Sequence, residues 1–229
     1  MGEWLDKEYG KFFKELDELI YGHVTAKQEL IRLLSKWMIS KTDSGCVLGL
    51  HGSPGCGKTK FLKEVISPIL KRPIHYCSLA GMSDGGFIDG FEYAYEGATT
   101  GVILNAVINS KCMNPIIFFD ELDKVSKSRL GMEIIGKLIN LTDPVQNKTF
   151  QDRYFRNFNF DISKAIIVFS FNDITQIDPV LLNRIKVINT PKYDFNDKIT
   201  ILKQFLLPCI CKEYNLLSSN IQFNQDALN

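Results

Sequence analysis

Residues 46–59 read CVLGLHGSPGCGKT, and this stretch decides the fold. Cys46 to Leu50 is a short apolar run of strand type that passes straight into a glycine-rich turn. Gly52-Ser53-Pro54-Gly55-Cys56-Gly57-Lys58-Thr59 fits G-x-x-x-x-G-K-[ST], and Phe61, Leu62, Val65, Ile66 and Ile69 make the following segment an amphipathic helix. Glycines at this spacing let backbone N–H groups close around phosphate oxygens at a helix N-terminus. Lys58 would supply charge to the β- and γ-phosphates of a nucleotide, and Thr59 a hydroxyl to Mg²⁺. Pro68 is expected to end or kink the helix.

On either side of that stretch, strand-like runs alternate with helix-like ones. Thr25 and Gln28 form a capping-box pattern that predicts a helix start at Thr25, with Leu30, Leu33, Leu34, Trp37 and Met38 at helical spacing. Pro73 to Leu79, Pro115 to Phe119, Ala165 to Phe171 and Val187 to Thr190 read as further strands. Val102, Ile103, Ala106 and Val107 mark one helix and Met132 to Leu141 another, while Asp194 caps a last one through Phe205 and Leu206. Gly81 to Gly101, rich in glycine and aromatics, reads as exposed loop. Continuous apolar strands alternating with helices predict an α/β fold with a parallel five-stranded sheet covered on both faces. The alternation stops near Pro191, where a boundary is expected.

Composition narrows the classes. The 229 residues carry 27 Lys plus Arg against 26 Asp plus Glu, which excludes a strongly basic nucleic-acid arm and an acidic tail. At 45% hydrophobic and 23% charged, the chain is ordinary for a globular domain and wrong for a disordered one. No apolar run approaches the roughly 18 residues of a membrane span. The opening Met-Gly-Glu-Trp-Leu-Asp lacks the regions of a signal peptide, and Asp6 stands where a myristoylation motif wants Ser or Thr. Six scattered cysteines (46, 56, 77, 112, 209 and 211) predict reduced, buried thiols in a cytoplasmic, or at least intracellular, compartment, where the sequon Asn147-Lys148-Thr149 is inert.

A second chemical motif lies at Ile116-Ile117-Phe118-Phe119-Asp120-Glu121, an apolar strand ending in two carboxylates. Beside a phosphate loop, Asp120 is placed to hold the Mg²⁺ shell and Glu121 to polarise a water. Asn172, at the end of the next strand, would orient that water or touch the γ-phosphate; an ordinary turn residue is the equal alternative, since Asn-Asp is a common turn pair. Gly81-Met82-Ser83-Asp84-Gly85 fits the hydrolase elbow G-x-S-x-G, but that motif needs a helix directly behind it, and Gly85, Gly86 and Gly90 disfavour one. Cys209 and Cys211 are two apart on a helix and face different ways, and His23, His51 and His75 share no metal-site spacing.

These residues together resemble an AAA+ ATPase, and within that family the ATPase module of Lon-type proteases. The segments that carry the likeness are 143–154 (DPVQNKTFQDRY) with Phe160-Asp161-Ile162-Ser163-Lys164, Tyr21-Gly22, Leu79 to Gly81, Tyr95-Glu96-Gly97-Ala98, Asp120 to Lys124, Leu181-Leu182-Asn183-Arg184 and Leu206-Leu207-Pro208. The resemblance covers the chain from about Leu16 onward. It implies a P-loop three-layer sandwich at 45–191, preceded by a linker or helical segment at 1–44 and followed at 192–229 by the start of a helical lid. Tyr21 and Gly22 would line the adenine pocket, Arg184 would be an arginine finger reaching a neighbouring subunit's nucleotide, and Tyr95 with Glu96 would sit in a pore loop that grips unfolded polypeptide. The implied activity is Mg²⁺-dependent ATP hydrolysis in a ring, expected to be hexameric, that unfolds or translocates damaged polypeptides, with a peptidase domain expected beyond Asn229.

This sequence departs from the family pattern at four places. Glu96 replaces the apolar residue after the pore-loop tyrosine, Lys186 replaces an acidic residue after the finger, and Asn140 occupies a typically acidic position. The helix after the phosphate loop is one residue longer and contains Pro68. A stand-alone remodelling ATPase without a protease, and a nucleotide-dependent scaffold, are the competing readings; balanced charge disfavours a nucleic-acid loader.

Overall fold

The computed structural model describes residues 14, 16–40, 45–82, 84–94 and 96–215, with side chains at 34 and 36–40 outside that description. Ser83 and Tyr95, the side chains of Leu34, Trp37 and Met38, and the lid residues beyond 215 therefore lie outside the described residues.

Five parallel strands make the sheet: β1 (Cys46–His51), β2 (Ile74–Ser78), β3 (Ile116–Asp120), β4 (Ile166–Phe171) and β5 (Lys186–Asn189), in the order β2-β3-β4-β1-β5. Helix α1 (Val24–Ser40) precedes β1, and α2 (58–70) follows it. Then come the short α3 (Gly86–Asp89), α4 (Val102–Ser110), α5 (Arg129–Thr142), the short α6 (Pro179–Leu182) and α7 (195–213).

The strands are apolar throughout because both faces are covered. Ile116, Phe118, Ile166 and Val168 pack with Leu30, Phe61, Leu62 and Val65 on the α1/α2 side. Their chain neighbours Ile117, Phe119, Ile167 and Phe169 pack with Ile103, Ile134, Leu138 and Leu141 on the α4/α5 side. Successive strand residues point to opposite faces, so one unbroken apolar run feeds two cores. All six residues of the central β4 are buried, whereas the edge strands β2 and β5 are half exposed. Among the described residues, no helix is long and apolar enough to cross a membrane.

Local rules gave way to packing in several places. Helix α1 starts at Val24, one residue before Thr25, because His23 turns the chain with φ +50°; Thr25 is thus inside the first turn and not its cap. Gly86 to Asp89 form one helical turn despite Gly86 and the flanking Gly85 and Gly90, since Ile88 is buried against the α4/α5 core. Helix α5 begins at Arg129, earlier than the apolar pattern, because the Ser128 side chain accepts the Gly131 N–H. The capping box of α7 pairs Asp194 with Asp197.

Pro68 does not end α2, which runs on to Leu70. The helix widens into a π turn over Phe61–Ile66, where the Ser67 N–H donates to Leu62 O five residues back. Helix α7 does the same over Leu202–Leu206, just before Pro208. A proline ring clashes with the carbonyl four residues earlier, here Glu64 and Gln204, and both carbonyls lie inside the widened turns.

Candidate functional site

In an open parallel sheet, ligands bind beyond the carboxyl ends of the strands. The order here sets β1 beside β4, and β4 beside β3. The phosphate loop leaves β1, Asn172 follows β4, and Asp120 and Glu121 end β3, so residues far apart in the chain meet along one rim.

The geometry centres on Lys58. Its ammonium donates to Gly52 O (2.7 Å), Ser53 O (3.1 Å) and Asn172 Oδ1 (2.7 Å), using its three N–H bonds within the cup of the loop. The loop closes with a Cys56 N–H to Ser53 O bond of 3.3 Å, and the following helix with Phe61 N–H to Gly57 O at 2.8 Å. Beneath it, Cys56 Sγ lies 3.2 Å from Thr190 Oγ1, which donates to His51 O. Thr59 opens the helix directly after Lys58, half-buried.

Asp120 is engaged at both oxygens. Ser170 Oγ donates to Oδ1, joined there by the Glu121 N–H (3.1 Å), and the Tyr76 hydroxyl donates to Oδ2 (2.5 Å). The Asp120 carboxylate in turn pushes the Tyr76 phenol up to about 12. Glu121 sits in the left-handed region (φ 60°, ψ 49°), a conformation costly for a residue with a Cβ and concentrated at functional sites. Its N–H also donates to Ser170 Oγ (3.2 Å), while its carboxylate makes no hydrogen bond or ion pair among the described residues. The two adjacent acids thus differ: one is fixed, the other is free for a ligand or water.

On the helix side of the loop, a cavity of about 310 Å³ is lined by Tyr21, Gly55, Gly57, Tyr193, Ile201 and Phe205. The Tyr193 hydroxyl donates to Tyr21 O (2.9 Å), and burial pushes that hydroxyl up to about 12. A second cavity, about 590 Å³, takes in Tyr21, Gly22 and His23. His23 is buried; its Nε2 lies 2.8 Å from Cys56 O, its ring lies against Tyr193, and burial pulls its pKa down. A carbonyl only accepts, so the neutral imidazole carries its proton on Nε2.

Arg184 is away from the phosphate loop of its own chain. Its Nη1 donates to Ile139 O (2.6 Å) and its Nη2 pairs with Asp143 Oδ2 (3.1 Å). Val145 and Gln146 N–H groups, with Arg184, hold the Asp143 carboxyl below the usual carboxylate range. Lys186 pairs with Glu29 and ties β5 to α1. Glu96 is exposed in a turn. Cys209 is exposed and Cys211 buried, and no metal-holding cluster exists among the described residues.

The sequence reading gave no role to Ser170, Tyr76 or Tyr193, set His23 aside as a metal ligand, and named Asp143 only as the start of segment 143–154. Ser170 carried a signal: it is the polar residue inside the otherwise apolar β4, and it is 1% exposed. The others are assembled by contacts 33 to 172 positions apart, which no local pattern announces.

Residues 48–192 match the profile of the family described as "ATPase family associated with various cellular activities (AAA)". Over 217 residues the chain is 40% identical to a Lon protease homolog of Acanthamoeba polyphaga mimivirus, covering 94% of this chain and 20% of that protein. It is 36% identical to the Lon protease of Campylobacter concisus, covering 89% of this chain and 25% of the relative. The chain thus spans about a fifth to a quarter of the length of these curated relatives. Its fold is that of a closed-state reconstruction of Hsp104 with ATPγS and FITC casein, at a TM-score of 0.71 and 14% identity, covering 91% of this chain and 39% of that one. The phosphate loop, the paired acids and the sheet order agree with these likenesses: the chain belongs to the AAA family of ATPases, and its module is similar to that of the Lon proteases.

Proposed function

We propose that this module binds and hydrolyses ATP with Mg²⁺ in a homo-oligomeric ring, six-membered by analogy with its relatives, and that the protein uses the cycle to unfold or translocate polypeptide, feeding a Lon-type peptidase. The observation that carries this reading is the rim where Lys58 contacts Asn172 between the phosphate loop and the acids of β3. Lys58 would exchange its carbonyl partners for β- and γ-phosphate oxygens. The 310 Å³ cavity lined by Tyr21 and Tyr193, with the adjoining one that takes in Gly22, would take the base and ribose. Thr59 and Asp120 offer the hard oxygen donors that suit Mg²⁺, with Asp120 already oriented by Ser170 and Tyr76. Bound there, the ion would neutralise charge on the phosphates. Glu121, unpaired, would take the proton of the attacking water, Asn172 would help orient that water, and Arg184 would reach across a subunit boundary. Exposed aromatics Phe87, Phe91 and Tyr93, with Glu96 and the adjoining Tyr95, would meet the polypeptide. Six cysteines with no disulfide among them support a reducing, cytoplasmic setting.

Calorimetry with Mg-ATP tests the binding half: wild type binds, and Lys58→Ala does not. Steady-state turnover tests the chemistry. Glu121→Gln should bind ATP like wild type and hydrolyse it roughly 10²–10⁴-fold more slowly, the range for a lost general base. Equal affinity in the Lys58 variant, or unchanged turnover in the Glu121 variant, refutes the corresponding role.

A further inference from the structure

Segment 143–165 contacts Arg184 and the 90–101 loop and continues into β4, the strand that ends beside the phosphate loop. At its start, Asp143 holds Arg184. At its end it runs into β4, whose Ser170 fixes Asp120 and which is followed by Asn172 against Lys58. Between these ends it folds into one unit: Phe150 and Phe160 exchange backbone bonds (3.1 and 2.8 Å), and Ile162 N–H donates to Asn147 O (2.9 Å).

The turn of this unit clasps the 90–101 loop. Asp152 is fully buried, and burial pushes its carboxyl up. Its Oδ2 accepts the Gly101 N–H (2.8 Å), and its Oδ1 accepts the Tyr154 N–H (2.9 Å). Gly90, at the other end of the loop, packs so closely on Asp152 that a Cβ there would lie 2.6 Å from Oδ1. The two ends of the loop are further joined by Phe91 N–H to Thr99 O (3.0 Å). Arg153 bonds Asp89 through its backbone N–H (2.6 Å) and its Nε (3.2 Å), and Arg156 pairs with Glu92 inside the loop. One buried carboxylate therefore meets both ends of a loop whose remaining residues are mostly exposed.

We infer that Asp152 is a positioning residue through which segment 143–165 transmits the nucleotide state to the 90–101 loop. Nucleotide that moves Lys58, Asn172 or Arg184 displaces β4 or Asp143, and the segment passes this to the loop's neck as a packed, hydrogen-bonded unit. An amide in place of the carboxylate keeps the shape but turns an N–H donor toward one of the backbone donors, so the clasp opens. The inference rests on the nucleotide-site reading above, but it is independent of whether the loop handles polypeptide.

Hydrogen exchange of the loop amides, measured in the ring-forming protein with and without Mg-ATPγS, tests it. In wild type, nucleotide should change exchange at the Gly101 N–H by about tenfold, the scale of a 1.4 kcal/mol coupling. Asp152→Asn should bind nucleotide like wild type and lose that change. Arg156→Ala, an exposed substitution that leaves the fold intact, should reduce it. A wild-type loop indifferent to bound nucleotide, or an Asp152→Asn loop that responds like wild type, overturns the inference. Failure of wild type to bind nucleotide at all would instead sink the nucleotide-site reading, and failure of unfolded polypeptide to stimulate turnover would sink only the loop's role in gripping.

Discussion

At the phosphate loop a lysine ammonium is held by two carbonyls five and six positions away in its own turn, with Asn172 as its one distant partner. At the neck of the 90–101 loop a carboxylate is held by amides, and its key partner, Gly101, is 51 positions away. Both arrangements satisfy a charge with backbone groups, and both depend on glycines that let the backbone come close. They differ in what assembles them. The phosphate loop closes on itself, so its spacing is a signature. The neck exists only when a hairpin from another part of the chain has packed against it. Contacts of the second kind, and the one reach of Lys58 to Asn172, are where two sites can be coupled, because they join segments that can move relative to each other.

The largest expected effect concerns a residue outside both regions. Arg184 is clasped by α5 and Asp143, not by its own phosphate loop. In the assembled ring, Arg184→Ala should leave ATP affinity unchanged and lower turnover by ~10³-fold or more. Mixing that variant with Lys58→Ala should restore part of the activity, since some interfaces then join an intact pocket to an intact arginine. No recovery in mixed rings, confirmed by mass, would return Arg184 to a structural role within its own chain.

Two glycine substitutions sharpen the contrast. A Cβ at Gly52 would lie 2.3 Å from both Thr190 O and Thr190 Oγ1, so Gly52→Ala should cost about 1–3 kcal/mol and weaken nucleotide binding with it. Gly90 has φ +87° and abuts Asp152, so Gly90→Ala should loosen the neck while nucleotide affinity stays at the wild-type value. Denaturant unfolding and calorimetry on both variants check the pair. Loss of affinity from Gly90→Ala would mean the two regions are one cooperative unit.

The smallest effect is a pH dependence at His23, which joins the cavity side to the phosphate loop. Its ring faces the Cys56 carbonyl, Tyr193, Phe61 and the Lys27 ammonium, and burial keeps it neutral. A folded-state pKa below the unfolded one means the unfolded chain takes up the proton first as pH falls. Stability is therefore complete above about pH 6.5 and is lost as pH drops from there through the folded value. His75, lowered by burial, acts in the same direction in every variant, so the difference isolates His23. Thermal melts from about pH 7.5 to about 5.5 should fall more steeply for wild type than for His23→Gln, whose amide can still donate to Cys56 O. Parallel pH curves would remove His23 as the titrating group.

The sequence by itself determined whatever depends on neighbours along the chain. The apolar runs specified five strands, the glycine spacing specified a turn that closes around phosphate, and Asp194 specified a helix start, because each is set within a few residues. Only the tertiary structure decided what depends on which strands become neighbours. The order β2-β3-β4-β1-β5 set Asn172 on Lys58 and Ser170 on Asp120, pinned Arg184 to Asp143, and closed the neck on Asp152. Packing also overrode local preference where buried Ile88 drew Gly86, between Gly85 and Gly90, into a helical turn. Burying a large apolar side chain is worth ~1.5–3 kcal/mol, more than the cost of a poor helix former or a widened turn, so packing decides wherever it conflicts with local preference.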